Sequence, residues 1–68
     1  MESTVKLYRV ANNKSQEYMA EVLSVNHKTY LNKEKKRTSF TANEYLKLKD
    51  EFGLSNDQLV KLIQNMEV

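Results

Sequence analysis

Gln16-Glu17-Tyr18-Met19-Ala20-Glu21-Val22-Leu23-Ser24-Val25, residues 16–25, reads two ways, and the fold class turns on the choice. As a strand, the stretch sets Tyr18, Ala20 and Val22 on one face and Met19, Leu23 and Val25 on the other, with Glu21 out of place. As a helix, it groups Met19, Val22 and Leu23 at i, i+3 and i+4, and Ser15 stands where an N-cap belongs. The residues before it favour the strand. Thr4-Val5-Lys6-Leu7-Tyr8-Arg9-Val10 alternates apolar and polar side chains and is rich in β-branched and aromatic types. Ala11-Asn12-Asn13-Lys14-Ser15 then offers a polar turn, because asparagine tolerates a left-handed backbone. Strand, turn and strand make a hairpin. Beyond Asn26-His27, the stretch Lys28-Thr29-Tyr30-Leu31 reads as a short third strand, so strands are expected over about 4–10, 17–25 and 28–31.

The C-terminal part is specified by punctuation. Thr41-Ala42-Asn43-Glu44 is a capping box, in which the Thr41 hydroxyl accepts from the Glu44 N–H and the Glu44 carboxylate accepts from the Thr41 N–H. Phe40 and Tyr45 occupy the two positions of a hydrophobic staple. The helix carries Tyr45, Leu48 and Phe52 inward and stops at Gly53, the single glycine of the chain. Ser55-Asn56-Asp57-Gln58 repeats the box, with Leu54 and Leu59 as its staple, and Leu59, Leu62, Ile63 and Met66 form a full apolar stripe. Helices over 42–52 and 56–66 follow. The expected architecture is α+β: one domain, 1–68, with a small antiparallel sheet of two or three strands packed against a C-terminal helix-Gly-helix hairpin.

Composition limits what such a domain can do. Sixty-eight residues with 40% hydrophobic content and no Trp, Pro or Cys allow a small core of Leu, Val, Tyr, Phe and Met, held by packing and not by disulfides or thiolate metal sites. No apolar run approaches the ~18 residues of a membrane span, and a cytoplasmic protein with no membrane partner is expected. One histidine, His27, has no cysteine and no serine elbow to work with, and its nearest acids in sequence are Glu21 and Glu34. Neither catalysis nor a metal site is expected, and a single glycine builds no phosphate loop. No cofactor is implied.

Charge is polarised along the chain. Residues 1–40 hold eight bases and four acids, and residues 41–68 hold three bases and five acids. Lys33, Lys35, Lys36 and Arg37, with Lys28 and His27 nearby, are candidates for phosphate contacts. The same cluster also reads as a solvated loop that guards a sheet edge. Tyr8, Tyr30, Leu46 and Val60 are candidates for an exposed apolar patch that meets a protein partner, or a second copy in a homodimer.

Three resemblances bear on function. Residues 48–63, with Gly53 at the turn, Ser55 opening the second helix and Leu59 and Leu62 buried, resemble a helix-turn-helix; Lys49 stands where close helix packing wants Ala or Gly. Residues 35–40 followed by two helices around Gly53-Leu54-Ser55 resemble a ribbon-helix-helix protein, which implies Arg37 and Ser39 reading DNA from a dimeric ribbon. Tyr8-Arg9-Val10, then Asn12-Asn13-Lys14-Ser15-Gln16-Glu17-Tyr18-Met19, Tyr30-Leu31 and Phe40-Thr41-x-x-Glu44-x-x-x-Leu48 resemble short accessory proteins of Gram-positive phages and prophages. That last likeness implies a β-hairpin, a further strand and a capped helix, in a protein that acts by binding a host protein. The expected function is therefore a non-catalytic binding protein of this accessory type, with a DNA-binding regulator as the alternative.

Overall fold

Five short side chains start five helices. Ser3, Ser15, Asn26, Thr41 and Ser55 each accept a hydrogen bond from a backbone N–H three residues on. The computed structural model describes residues 3–67, and among them every regular element is helical. The helices are α1 (Thr4–Ala11), α2 (Gln16–Val22), α3 (His27–Glu34), α4 (Ala42–Phe52) and α5 (Asn56–Met66).

Four of the helices end alike. Asn13, Ser24, Lys36 and Gly53 adopt positive φ of 58°, 59°, 67° and 65°. At each, the next N–H turns back to a carbonyl five residues earlier: Lys14 to Arg9, Val25 to Ala20, Arg37 to Asn32, and Leu54 to Lys49, at 2.9–3.0 Å. This is the Schellman arrangement, which satisfies carbonyls the helix would leave bare.

The expected α+β architecture is therefore corrected to an all-helical one, since the described residues contain no sheet. The stretch 4–10 lies in α1, where Val5 and Arg9, four apart, face inward and Tyr8 is half-buried. Leu7 and Val10 point to solvent at 55% and 56% exposure, and these two supplied the false alternation. Residues 17–25 form α2 and its cap, so the helical reading with Ser15 at its start is the one observed. Residues 28–31 lie within α3. The asparagines read as a hairpin turn instead close α1, because the left-handed backbone that suits a hairpin also suits a helix end.

α4 begins at its capping box and ends at Gly53, and α5 begins at its own box. The closest-packed pair is α2 with α3, and α1 lies against α5. Val5, Met19, Tyr30, Leu48 and Leu62 are fully buried between them, each aliphatic side chain contributing about 1.5–3 kcal/mol by leaving water. Tyr8 stacks on Phe52 with ring centroids 5.8 Å apart, which ties α1 to the end of α4. No helix among the described residues is long and apolar enough to cross a membrane.

Candidate nucleic-acid interface

α2 and α3 form the closest-packed pair of helices and are joined by a short turn. Residues 23–26 join the two helices: Leu23 is buried, Ser24 takes the left-handed position, Val25 packs on the core and Asn26 caps α3. Ala20 of α2 is buried, and a small side chain there suits close helix packing, whereas the α4–α5 hairpin has Lys49 where such packing wants Ala or Gly.

α3 has two differently built sides. Its inward side is Tyr30 and Glu34, four residues apart and 0% and 3% exposed. Glu34 is a buried carboxylate with four donors around it. Arg9 Nε donates at 2.9 Å and Arg9 Nη2 at 3.4 Å, the Tyr30 hydroxyl donates at 2.6 Å, and Gln16 Nε2 donates at 3.3 Å. Burial works against the charge of Glu34, but hydrogen bonds from Arg9, Tyr30 and Gln16 outweigh it and hold the carboxyl below the usual range. Arg9 is in turn pushed up by its bond to Glu34, and Tyr30 is pushed up by burial and by the same carboxylate. A further bond, from Arg9 Nη1 to the Lys14 carbonyl at 2.8 Å, reaches the residue before the α2 cap. One ion cluster thus fixes α1, the start of α2 and the whole of α3 relative to one another.

The outward side of α3 carries Lys28 and Asn32 at i and i+4, with His27 and Leu31 beside them, and Lys35 follows at the C-cap. Lys28 and Lys35 are exposed, and Leu31 and Asn32 are partly so. His27 stands at the first position of α3, its Nε2 3.5 Å from a carboxylate oxygen of Glu17 in the first turn of α2. The α3–α4 loop follows with Lys36 and Arg37 exposed. From Lys14 to Thr41 the chain holds six bases and three acids, and Glu34 spends its charge inside the fold.

The basic cluster divides on folding. Lys35, Lys36 and Arg37 face solvent, but Lys33 turns inward. Its Nζ lies 2.7 Å from Glu44 Oε1 and 3.2 Å from the Ser39 carbonyl, over the Phe40 ring. Burial opposes the Glu44 charge, yet Lys33 and the Thr41 N–H hold that carboxyl below its ordinary value. Lys33 is thus a clasp between α3 and α4. The apolar candidates divide as well: Tyr30 is core and Tyr8 is half-buried on Phe52, whereas Leu46 and Val60 are 53% and 52% exposed.

A ribbon-helix-helix dimer needs a strand over 35–40, and these residues are the end cap of α3 and a loop in which the Ser39 hydroxyl donates to Glu67. The β-hairpin and strand implied by the phage-protein likeness are helices here, leaving its Phe40-Thr41-x-x-Glu44 element as the α4 capping box. Reading by sequence missed Arg9, Gln16 and Glu34 as the frame of the site, and Asn32 as part of its face. The available signal was Ser15 and Asn26, two cap residues one short helix apart, with Ala20 between them. Among the described residues no group of His, Cys, Asp and Glu side chains is placed to hold a metal ion. No protein-family model, curated protein or solved structure matches the chain.

Proposed function

We propose that the protein is a DNA-binding regulator that sets α3 in the major groove. The observation that carries this reading is the two-sided build of α3: a buried ion cluster fixes its inward face, and the outward face presents basic and amide side chains. In helix-turn-helix proteins the N-terminal residues of the second helix contact base edges while the first helix crosses the backbone. His27 and Lys28 occupy those positions, and Asn32 lies one turn along. A lysine suits the O6 and N7 acceptors of guanine, and an asparagine suits adenine. Lys35, Lys36 and Arg37 continue from α3 toward the phosphates, where each contact releases counterions. The role is binding, with no catalytic step and no cofactor.

Selection of duplexes from a random pool tests it. An enriched site is expected, bound more weakly as salt rises. Lys28→Ala should cost about 1–3 kcal/mol at that site and relax the choice of base at one position, with melting unchanged. Changing Lys35, Lys36 and Arg37 together to Gln should lower the salt slope by roughly 2–3 while sparing sequence choice. No duplex binding below about 10 μM at low salt sinks the reading, because non-specific electrostatics alone should register there. A protein-facing reading keeps support from the exposed apolar residues Leu7 and Val10 of α1, Leu46 of α4 and Val60 of α5.

A further inference from the structure

Residues 35–41 join α3 to α4 and carry Lys35, Lys36 and Arg37. The loop is tied at several points. The Arg37 N–H donates to the Asn32 carbonyl at 2.9 Å, Lys33 Nζ donates to the Ser39 carbonyl at 3.2 Å, and Phe40 is buried. A further tie comes from beyond α5. The Glu67 carboxylate accepts from the Ser39 hydroxyl at 2.8 Å and, on its other oxygen, from the Tyr45 hydroxyl at 2.5 Å. The Glu67 N–H bonds to the Ile63 carbonyl at 2.8 Å, so the residue is itself held at the last turn of α5.

Helix stability does not account for an acid in that place. The C-terminal end of a helix carries partial negative charge and disfavours a carboxylate. Glu67 is offset by the loop and α4 instead. Hydrogen bonds from Tyr45 and Ser39 hold its carboxyl below the usual range against the cost of desolvation, and the charge of Lys36 adds to them.

We infer that Glu67 is a positioning residue for phosphate binding: through Ser39 it fixes the backbone of the α3–α4 loop, so that Lys36 and Arg37 are in place before the chain meets DNA. The inference rests on the DNA-binding reading above. Ordering a loop costs free energy, and a complex that must do so on binding is weaker for it. Here the order is set in the free protein. Glu67 acts on affinity in two opposed ways. Its negative charge repels phosphate, whereas its hold on the loop favours binding. The repulsion is screened beyond about 8 Å at physiological salt, and the hold on the loop decides the balance.

Relaxation and duplex-binding measurements on the full chain test this. In the free protein the amides of 36–39 should be as ordered as the helices, with order parameters of about 0.85, and in Glu67→Ala or Ser39→Ala they should fall below about 0.6. Ser39→Thr keeps the hydroxyl and should keep the order. Ser39 and Glu67 are both exposed, so an unchanged melting curve verifies folding. On the selected duplex Glu67→Ala should bind about three- to tenfold more weakly, with base preference unchanged. Loss of a negative charge by itself would tighten binding, so the sign separates position from charge. Once Lys36 and Arg37 are both changed to Gln, Glu67→Ala should weaken binding no further. A loop already mobile in the wild type, binding by Glu67→Ala as tight as the wild type or tighter, or equal weakening in the absence of the two bases would each overturn the inference while the DNA-binding reading stands. A wild type that binds no duplex removes that reading, and the inference with it.

Discussion

The two halves of the molecule are held together by different chemistry. α1, α2 and α3 are joined around a buried carboxylate that collects an arginine, a tyrosine and a glutamine. α4 and α5 are joined by an apolar stripe with Leu48, Phe52, Leu62 and Met66 buried. Apolar contact is forgiving of small rotations, whereas a carboxylate with four directional bonds tolerates one arrangement. On the DNA-binding reading proposed above, the half that presents α3 is the half whose directional side-chain bonds are buried. A buried ion pair is weak evidence for added stability, and its role here is to fix the orientation of α3.

Glu34→Ala should break this contrast most severely. It leaves Arg9 buried without its partner and should cost about 3–5 kcal/mol, read from the urea midpoint. If it costs under 1 kcal/mol, the cluster does not hold the N-terminal half. Replacing the cluster by Arg9→Met, Tyr30→Phe and Glu34→Leu together should recover most of that loss while degrading choice between DNA sites. Equal specificity in that variant would show that packing alone orients α3.

Leu62→Ala, in the apolar half, should cost about 3 kcal/mol as a cavity is left behind, but should leave base preference intact once the protein is folded. Lys36→Gly should act in the opposite direction by about 1 kcal/mol, because a lysine at φ 67° bears a strain that glycine lacks. A rise in melting temperature checks it.

The gentlest probe is pH. The Glu34 and Glu44 carboxyls lie below their ordinary range in the folded chain, so the unfolded chain takes up protons first as pH falls. Their contribution is complete above the ordinary glutamate value of about 4.3 and is lost as pH drops through the lower folded values. Tyr30 and Tyr45 are raised by burial and by their bonds to Glu34 and Glu67. Their contribution is complete below about pH 10 and is lost as pH climbs beyond it. The urea midpoint should therefore be flat near neutrality and fall at both ends, and Glu34→Gln should flatten the acid limb.

How much of this was legible in the sequence also divides by half. Thr41 with Glu44 and Ser55 with Gln58 announce α4 and α5, and Gly53 marks the stop between them. The first three helices use the same starts, but the residue at the reciprocal position is Lys6, Tyr18 or Thr29, so no box can be seen. Their stops are Asn13, Ser24 and Lys36: the asparagine suits a hairpin turn as well as a helix end, and serine and lysine do not advertise a left-handed backbone as glycine does. Val5 and Arg9 mark the inner face of α1, but a buried arginine reads as a surface residue until its acid is known. Lys33 and Arg37 look alike in the chain, and only the position of Glu44 separates the clasp from the free cation.

The caps carry one further consequence, for the speed of folding. Every helix is 7 to 11 residues long, below the ~12–15 at which an isolated helix becomes marginally stable in water. None can persist alone, so loss of order should be all-or-none. Yet each start and stop closes within three to five residues, and α2 packs on α3 and α4 on α5, each its neighbour in the chain, which leaves α1 against α5 as the one long closure among the main helix pairs. A helical chain rich in such local contacts should reach its native state in microseconds to milliseconds.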